Sequence, residues 1–100
     1  MEKTDSKLTV FLDVQYEGMK VYLQDFGWNV ETITGVYGSS TKDRHDDNVM
    51  AYAEANKDSI IITQDQELVK RLKNKGHNVI GIDMSDLARQ VNETLKKDYD

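Results

Sequence analysis

The sequence contains no cysteine and no proline, and no apolar run in its 100 residues approaches the length of a membrane span. The missing thiols remove disulfides, zinc–thiolate sites and cysteine nucleophiles together. Small secreted domains usually need disulfide staples, so the expected compartment is a reducing one, the cytoplasm. A bilayer crossing needs about 20 consecutive apolar residues, and the opening Met-Glu-Lys-Thr-Asp-Ser-Lys is too polar for a signal peptide. No membrane partner is expected. Without proline, glycine and polar clusters must punctuate the fold. Positive charge is the scarcer sign: 13 Lys and Arg stand against 18 Asp and Glu, a net charge of −5. That argues against a protein that coats nucleic acid electrostatically. Setting aside the four acids singled out below leaves 14 acids against 13 bases, so overall charge does not exclude a nucleic-acid substrate.

What is present suits a single domain over residues 1–100. Leu8 to Leu12 is a short apolar run ending at Asp13, and reads as a strand buried on both faces. Met19, Tyr22, Leu23 and Phe26 then fall on one face of a helix, and Gly27 stands where a left-handed C-cap wants glycine. Val30 to Thr34 reads as a second strand, and Gly35 to Lys42 as a loop. The acidic stretch Asp43 to Asp47 opens a helix carrying Val49, Met50 and Ala53. Ser59 to Thr63, with three consecutive isoleucines, reads as the middle strand of a parallel sheet. A helix with Leu68, Val69 and Leu72 follows and stops at Gly76. Asn78 to Asp83 is a fourth strand, and Ser85 is the expected N-cap of a last helix with Leu87, Val91 and Leu95 in line. That stripe suits either a cover for the sheet or a homodimer contact.

The alternation predicts an α/β fold, a three-layer sandwich around a central parallel sheet of four to five strands. Such sheets bind ligands beyond the carboxyl ends of their strands. Asp13 ends the first strand, Asp65 and Glu67 follow the third, and Asp46 and Asp47 sit in the helix turn before it. Ionised carboxylates brought together there repel, and a proton or a cation among them relieves the strain. With no cysteine and no histidine pair the ligands would be hard oxygens, which suit Mg²⁺ or Mn²⁺. Such an ion activates water and steadies charge on a phosphate, which is phosphodiester hydrolysis. Each acid also has a plainer role. Asp13 can cap the helix that follows it, and Asp43, Asp46 and Asp47 can match a helix dipole. Thr63 and Gln66 can form a capping box with Asp65 as a first-turn acid.

Three stretches carry a family resemblance: Val10-Phe11-Leu12-Asp13, Asp46-Asp47-Asn48-Val49-Met50-Ala51-Tyr52-Ala53, and Ile60-Ile61-Ile62-Thr63-Gln64-Asp65-Gln66-Glu67-Leu68. Together they resemble the small PIN-like domains over roughly residues 8–84. The resemblance implies a parallel α/β sandwich and a Mg²⁺- or Mn²⁺-dependent ribonuclease acting on single-stranded RNA, of the RNA-processing or toxin–antitoxin kind. It implies that Asp13, Asp46 and Asp65 hold the metal, that Glu67 is the weaker fourth acid, and that Thr63 is a supporting hydroxyl. Asp47 can substitute for Asp46 if the helix match shifts by one. The chain departs from the pattern after Asp13, where Val14-Gln15-Tyr16-Glu17 replaces the acid, amide and proline of compact relatives. The alternative is therefore a PIN-like module that binds RNA or a protein partner, such as an antitoxin, without catalysis.

Further expectations concern the substrate side. Tyr37 is a candidate for stacking on a base, and Lys42 and Arg44, with Lys70, Arg71, Lys73 and Lys75, could guide a phosphate backbone. His45 and His77 read as solvent-exposed, and Trp28 as a lid on the core.

Overall fold

The computed structural model describes residues 8–38 and 45–99. The strands are β1 (Thr9–Leu12), β2 (Asn29–Thr32), β3 (Ser59–Thr63) and β4 (Asn78–Gly81). A 3-10 helix, Val14–Met19, runs into α1 (Lys20–Asp25). The other helices are α2 (Ile33–Tyr37), α3 (His45–Ala55), α4 (Gln66–Asn74) and α5 (Met84–Tyr99). All strand pairs are parallel, in the order β2-β1-β3-β4. This is the α/β architecture expected, with four strands. Among the described residues no helix is long and apolar enough to cross a membrane.

Alternation along each strand sends successive side chains to opposite faces. Phe11 and Ile61 point to one face and are fully buried with Ile33, Val49, Leu68 and Leu72 from α2, α3 and α4. Tyr52 joins this cluster by stacking on Phe11, ring centroids 3.9 Å apart. Its hydroxyl donates to the Glu31 carboxylate. Burial and that negative partner push the Tyr52 phenol well above its ordinary range. Val10, Leu12, Val30 and Ile62 point to the other face, where Tyr16, Met19, Leu23 and Trp28 cover them. Trp28 is half-buried there and lids the core as its sequence position suggested.

Local chemistry fixes several boundaries. Gly27 has φ 100° after α1 and Gly76 φ 81° after α4, the left-handed conformation that glycine adopts without strain. Other boundaries differ from the sequence reading. β2 ends at Thr32, and residues 33–37 are helical rather than a strand end and a loop. Two side chains force that turn: Thr32 Oγ1 accepts from Gly35 N at 2.9 Å, and Glu17 Oε2 accepts from Thr34 N at 2.7 Å. Tyr22 and Phe26, placed on the buried face of the first helix, are 68% and 72% exposed. Of that stripe, Met19 and Leu23 pack against the sheet; α1 is six residues long, and among the described residues Tyr22 and Phe26 are left on its exposed side. Asp83, not Ser85, caps α5: its Oδ1 accepts from Asp86 N at 3.0 Å and from Ser85 Oγ at 2.7 Å. Those donors hold the Asp83 carboxyl below its ordinary value, the Ser85 hydroxyl contributing most.

Candidate functional site

The strand order reverses direction between β1 and β3. The chain leaves β1 toward β2 on one side and returns to β3 on the other. That switch point opens a crevice beyond the carboxyl ends of the two strands. The register pairs Leu12 with Ile62, so Asp13 and Thr63 stand level, one strand spacing apart, about 4.8 Å. Asp13 N donates to Ile62 O at 3.0 Å and carries the ladder one residue further.

Asp13 is only 3% exposed. Its Oδ1 accepts from Val14 N at 2.7 Å, which caps the 3-10 helix. Its Oδ2 accepts from the Thr63 hydroxyl at 2.7 Å. Thr63, with no exposed surface, in turn accepts from Asp65 N at 3.1 Å. One hydroxyl therefore ties the end of β1 to the start of α4. Asp65 is the N-cap of α4, Oδ1 accepting from Glu67 N at 3.0 Å and from Leu68 N at 3.2 Å. The capping box proposed for Thr63 and Gln66 is corrected accordingly: α4 starts at Gln66, so Asp65 is the residue at the cap, and the Thr63 hydroxyl goes to Asp13. Glu67 occupies the exposed first turn of α4.

Asp46 comes in from the first turn of α3 and lies 4.0 Å from the Arg71 guanidinium of α4. Partial burial raises its carboxyl above the ordinary value. The negative charge of Asp65 adds to this, Arg71 opposes it, and Asp13 and Asp47 push it up further. Asp46 thus lies near enough to Asp65 and Asp13 to feel both charges. Asp47 is exposed on the same turn and Asn48 half-buried, its Nδ2 enclosed without a hydrogen-bond partner among the described residues. Among the described residues, no three acidic or histidine side chains converge closely enough to hold an ion as they stand. The donor chemistry suits a hard cation, and Asp46 and Asp65 would have to swing toward Asp13 to share one.

The remaining expected residues are scattered. Tyr37 is half-buried against the cluster under α2–α4, and burial raises its phenol. Lys42, Arg44 and Asp43 lie outside the described residues, and so does the His45 side chain. Lys70, Arg71, Lys73 and Lys75 are exposed on or just after α4. His77 is not solvent-exposed as read from the sequence. Its side chain is 7% exposed and its Nε2 lies 3.0 Å from Oε2 of Glu54, near the end of α3.

Two residues at this edge escaped the sequence reading. Tyr16, 8% exposed, places its hydroxyl 2.9 Å from Ile82 O and 3.2 Å from Gln64 Oε1, strapping the 3-10 helix to the segments after β3 and β4. Burial and then the Asp83 charge raise its phenol. Glu17 serves α2 as described above. An aromatic three positions after a strand-end aspartate was the only hint of Tyr16. Comparison of the chain with protein-family models, with curated proteins and with solved structures finds no match.

Proposed function

We propose that this chain is a PIN-like ribonuclease that hydrolyses phosphodiester bonds of single-stranded RNA with Mg²⁺ or Mn²⁺ at the β1/β3 switch point. The observation that carries the reading is the linkage of Asp13, Thr63 and Asp65 across that point, with Asp46 near enough to feel the charges of both acids. A carboxylate raised by burial and by neighbouring acids, at the crevice of a parallel sheet, is a pattern found at functional sites.

Asp13 and Asp65 would hold the ion, and Asp46 would complete the site or orient the attacking water. Glu67 would assist through a second water. When bound, the ion supplies Lewis acidity, lowering the pKa of coordinated water and steadying charge on the phosphate. Thr63 is a positioning residue: its hydroxyl and Val14 N each hold one Asp13 oxygen, so the carboxylate would need to release one of them to reach an ion. Arg71, beside Asp46, and the exposed Lys70 and Lys73 give the strand's phosphates a positive approach. Water would attack phosphorus as the bond to the leaving oxygen breaks; a carboxylate at the edge would take the water's proton, and the departing oxygen would take one from solvent. The cytoplasm is the compartment this reading implies.

One observation favours the second reading, a PIN-like module that binds RNA or a protein partner without cleaving. Tyr16 and Glu17, standing where compact relatives carry polar site residues, are spent on holding the fold together. The test separates the two. A labelled single-stranded RNA is incubated with the protein and Mg²⁺ or Mn²⁺, with and without chelator, and run on a denaturing gel. Cleavage that chelator and Asp13→Asn each reduce at least ~100-fold, about 2.7 kcal/mol in the barrier, supports the nuclease. Magnesium-independent binding with intact RNA supports the module. Cleavage unaffected by Asp13→Asn would refute the assignment of this edge.

A further inference from the structure

A ring of hydrogen bonds closes beneath the acidic edge. The Thr63 hydroxyl donates to Asp13 Oδ2 at 2.7 Å, and Ile82 N donates to Thr63 O at 3.0 Å. The Tyr16 hydroxyl donates to Ile82 O at 2.9 Å, and Tyr16 N donates to Asp13 O at 2.9 Å, which completes the circuit. The ring joins the carboxyl ends of three neighbouring strands: β1 at Asp13, β3 at Thr63 and β4 at Ile82. Tyr16 enters it twice, through its backbone at the β1 end and through its phenol at the β4 end. It crosses the end of β3 to do so, a distance of two inter-strand spacings, roughly 10 Å. Gln64, between Thr63 and Asp65, places its Oε1 3.2 Å from the same phenol.

The strap matters because the acid has to move. Both Asp13 oxygens are engaged, one by Val14 N and one by the Thr63 hydroxyl, so an ion draws the carboxylate off one of those bonds. If the Thr63 bond opens, the rest of the ring still stands. Asp13 O stays on Tyr16 N, and Ile82 stays on both Thr63 O and the phenol. The strand ends keep their spacing while the side chain exchanges one partner for another. Without the phenol, the segments after β1 and β4 lose their cross-link as the carboxylate lets go. Tyr16 is 8% exposed, so water competes little for its hydroxyl.

We propose that Tyr16 is a positioning residue for the metal edge, its phenol holding the ends of β1, β3 and β4 at the spacing that lets Asp13 and Asp65 share a divalent cation. The role rests on the ribonuclease reading, in which those two acids hold the ion. Tyr16 touches neither the ion nor the substrate and acts through Asp13, Thr63 and Gln64. Groups that brace metal ligands from behind change metal affinity by roughly 10- to 100-fold when they are removed. The bonds that hold the fold together at this point are therefore the same bonds that set the geometry of the site.

The test compares two tyrosine-to-phenylalanine variants of the whole chain by calorimetric titration with MnCl₂. Each is held at a temperature where far-ultraviolet circular dichroism shows it fully folded. Tyr16→Phe keeps the buried ring and removes only the strap. Tyr52→Phe is the matched control, because its phenol is also buried, at 4% exposure, and its partner Glu31 lies on the face covered by α2 to α4. Both variants should lower the urea midpoint. Tyr16→Phe should in addition weaken Mn²⁺ binding about 10-fold, and Tyr52→Phe should leave it unchanged. Wild-type affinity in Tyr16→Phe, or an equal loss in both variants, would overturn the positioning role and leave the metal edge standing. A wild type that takes up no Mn²⁺ would overturn the role together with the ribonuclease reading.

Discussion

On one face of the sheet Phe11 and Ile61 have lost all exposed surface, while on the other Ile80 keeps half of its own. The two faces are built from the same kind of strand residues, so the difference lies in what covers them. Three helices, α2 to α4, pack on the first face and bring a second layer of buried side chains. The second face receives a 3-10 helix and the six-residue α1. The closed face therefore holds the domain together, and the open face is available for another surface. The acidic edge lies between them, anchored to both through Asp13 and Tyr16.

The sharpest way to break this comparison is to delete matched side chains from each face. Phe11→Ala should cost about 3–5 kcal/mol in urea unfolding, through lost burial and the cavity under Tyr52. Ile80→Ala, at a half-exposed site, should cost less than about 1 kcal/mol. Equal losses would mean that the second face is already covered within one chain. The next effect falls on the link between the faces and the edge. Thr63→Val keeps the shape but leaves Asp13 Oδ2 and Asp65 N each short of a partner, and should cost about 1–3 kcal/mol. Thr63→Ser, measured the same way, should recover most of that loss by restoring the hydroxyl.

Smaller effects separate function from stability at the edge. The Asp46 carboxyl is raised in the folded protein above its ordinary 3.8. A raised acid contributes stability that is complete below the unfolded value and is lost as pH rises through the folded one. Asp46→Asn should therefore stabilise the protein at neutral pH, and the advantage should vanish below about pH 3.8. The side chain is 48% exposed, so screening limits the gain to a few tenths of a kcal/mol, read as a Tm difference between the two pH values. The smallest effect belongs to the closed face, where His77 and then Lys57 hold the Glu54 carboxyl below its ordinary 4.5. That lowered acid favours the fold above pH 4.5 and loses its contribution as pH falls through the folded value. Wild type and Glu54→Gln should differ slightly in Tm at neutral pH and converge in acid.

Much of the architecture was legible because the strands are continuous apolar runs. Val10 to Leu12 and Ile60 to Ile62 cannot face water on either side, so a parallel sheet between helices follows from them directly. The position of Asp13, Asp46 and Asp65 near one edge followed from the same alternation, since helix starts collect where parallel strands end. What the sequence could not show was decided by distant partners. Ile33 and Thr34 continue a β-branched pattern, yet a carboxylate 17 positions earlier turns them into a helix. His77 looked free because its partner, Glu54, stands 23 positions away. Periodicity placed Tyr22, Phe26, Val91 and Leu95 on apolar stripes, but a stripe does not reveal whether anything lies against it. The helix caps at Asp65 and Asp83 turned on which of two neighbouring oxygens reached the amides.

The most direct test of the metal edge is to titrate Mn²⁺ into isotopically labelled protein and follow the backbone amide resonances. Paramagnetic broadening should remove Val14, Asp65 and Glu67 first and leave intact Asp58, just before β3, and Lys75, just after α4. Asp13→Asn should abolish the selectivity. Broadening centred elsewhere, or none at millimolar Mn²⁺, would contradict a cation site between β1 and β3.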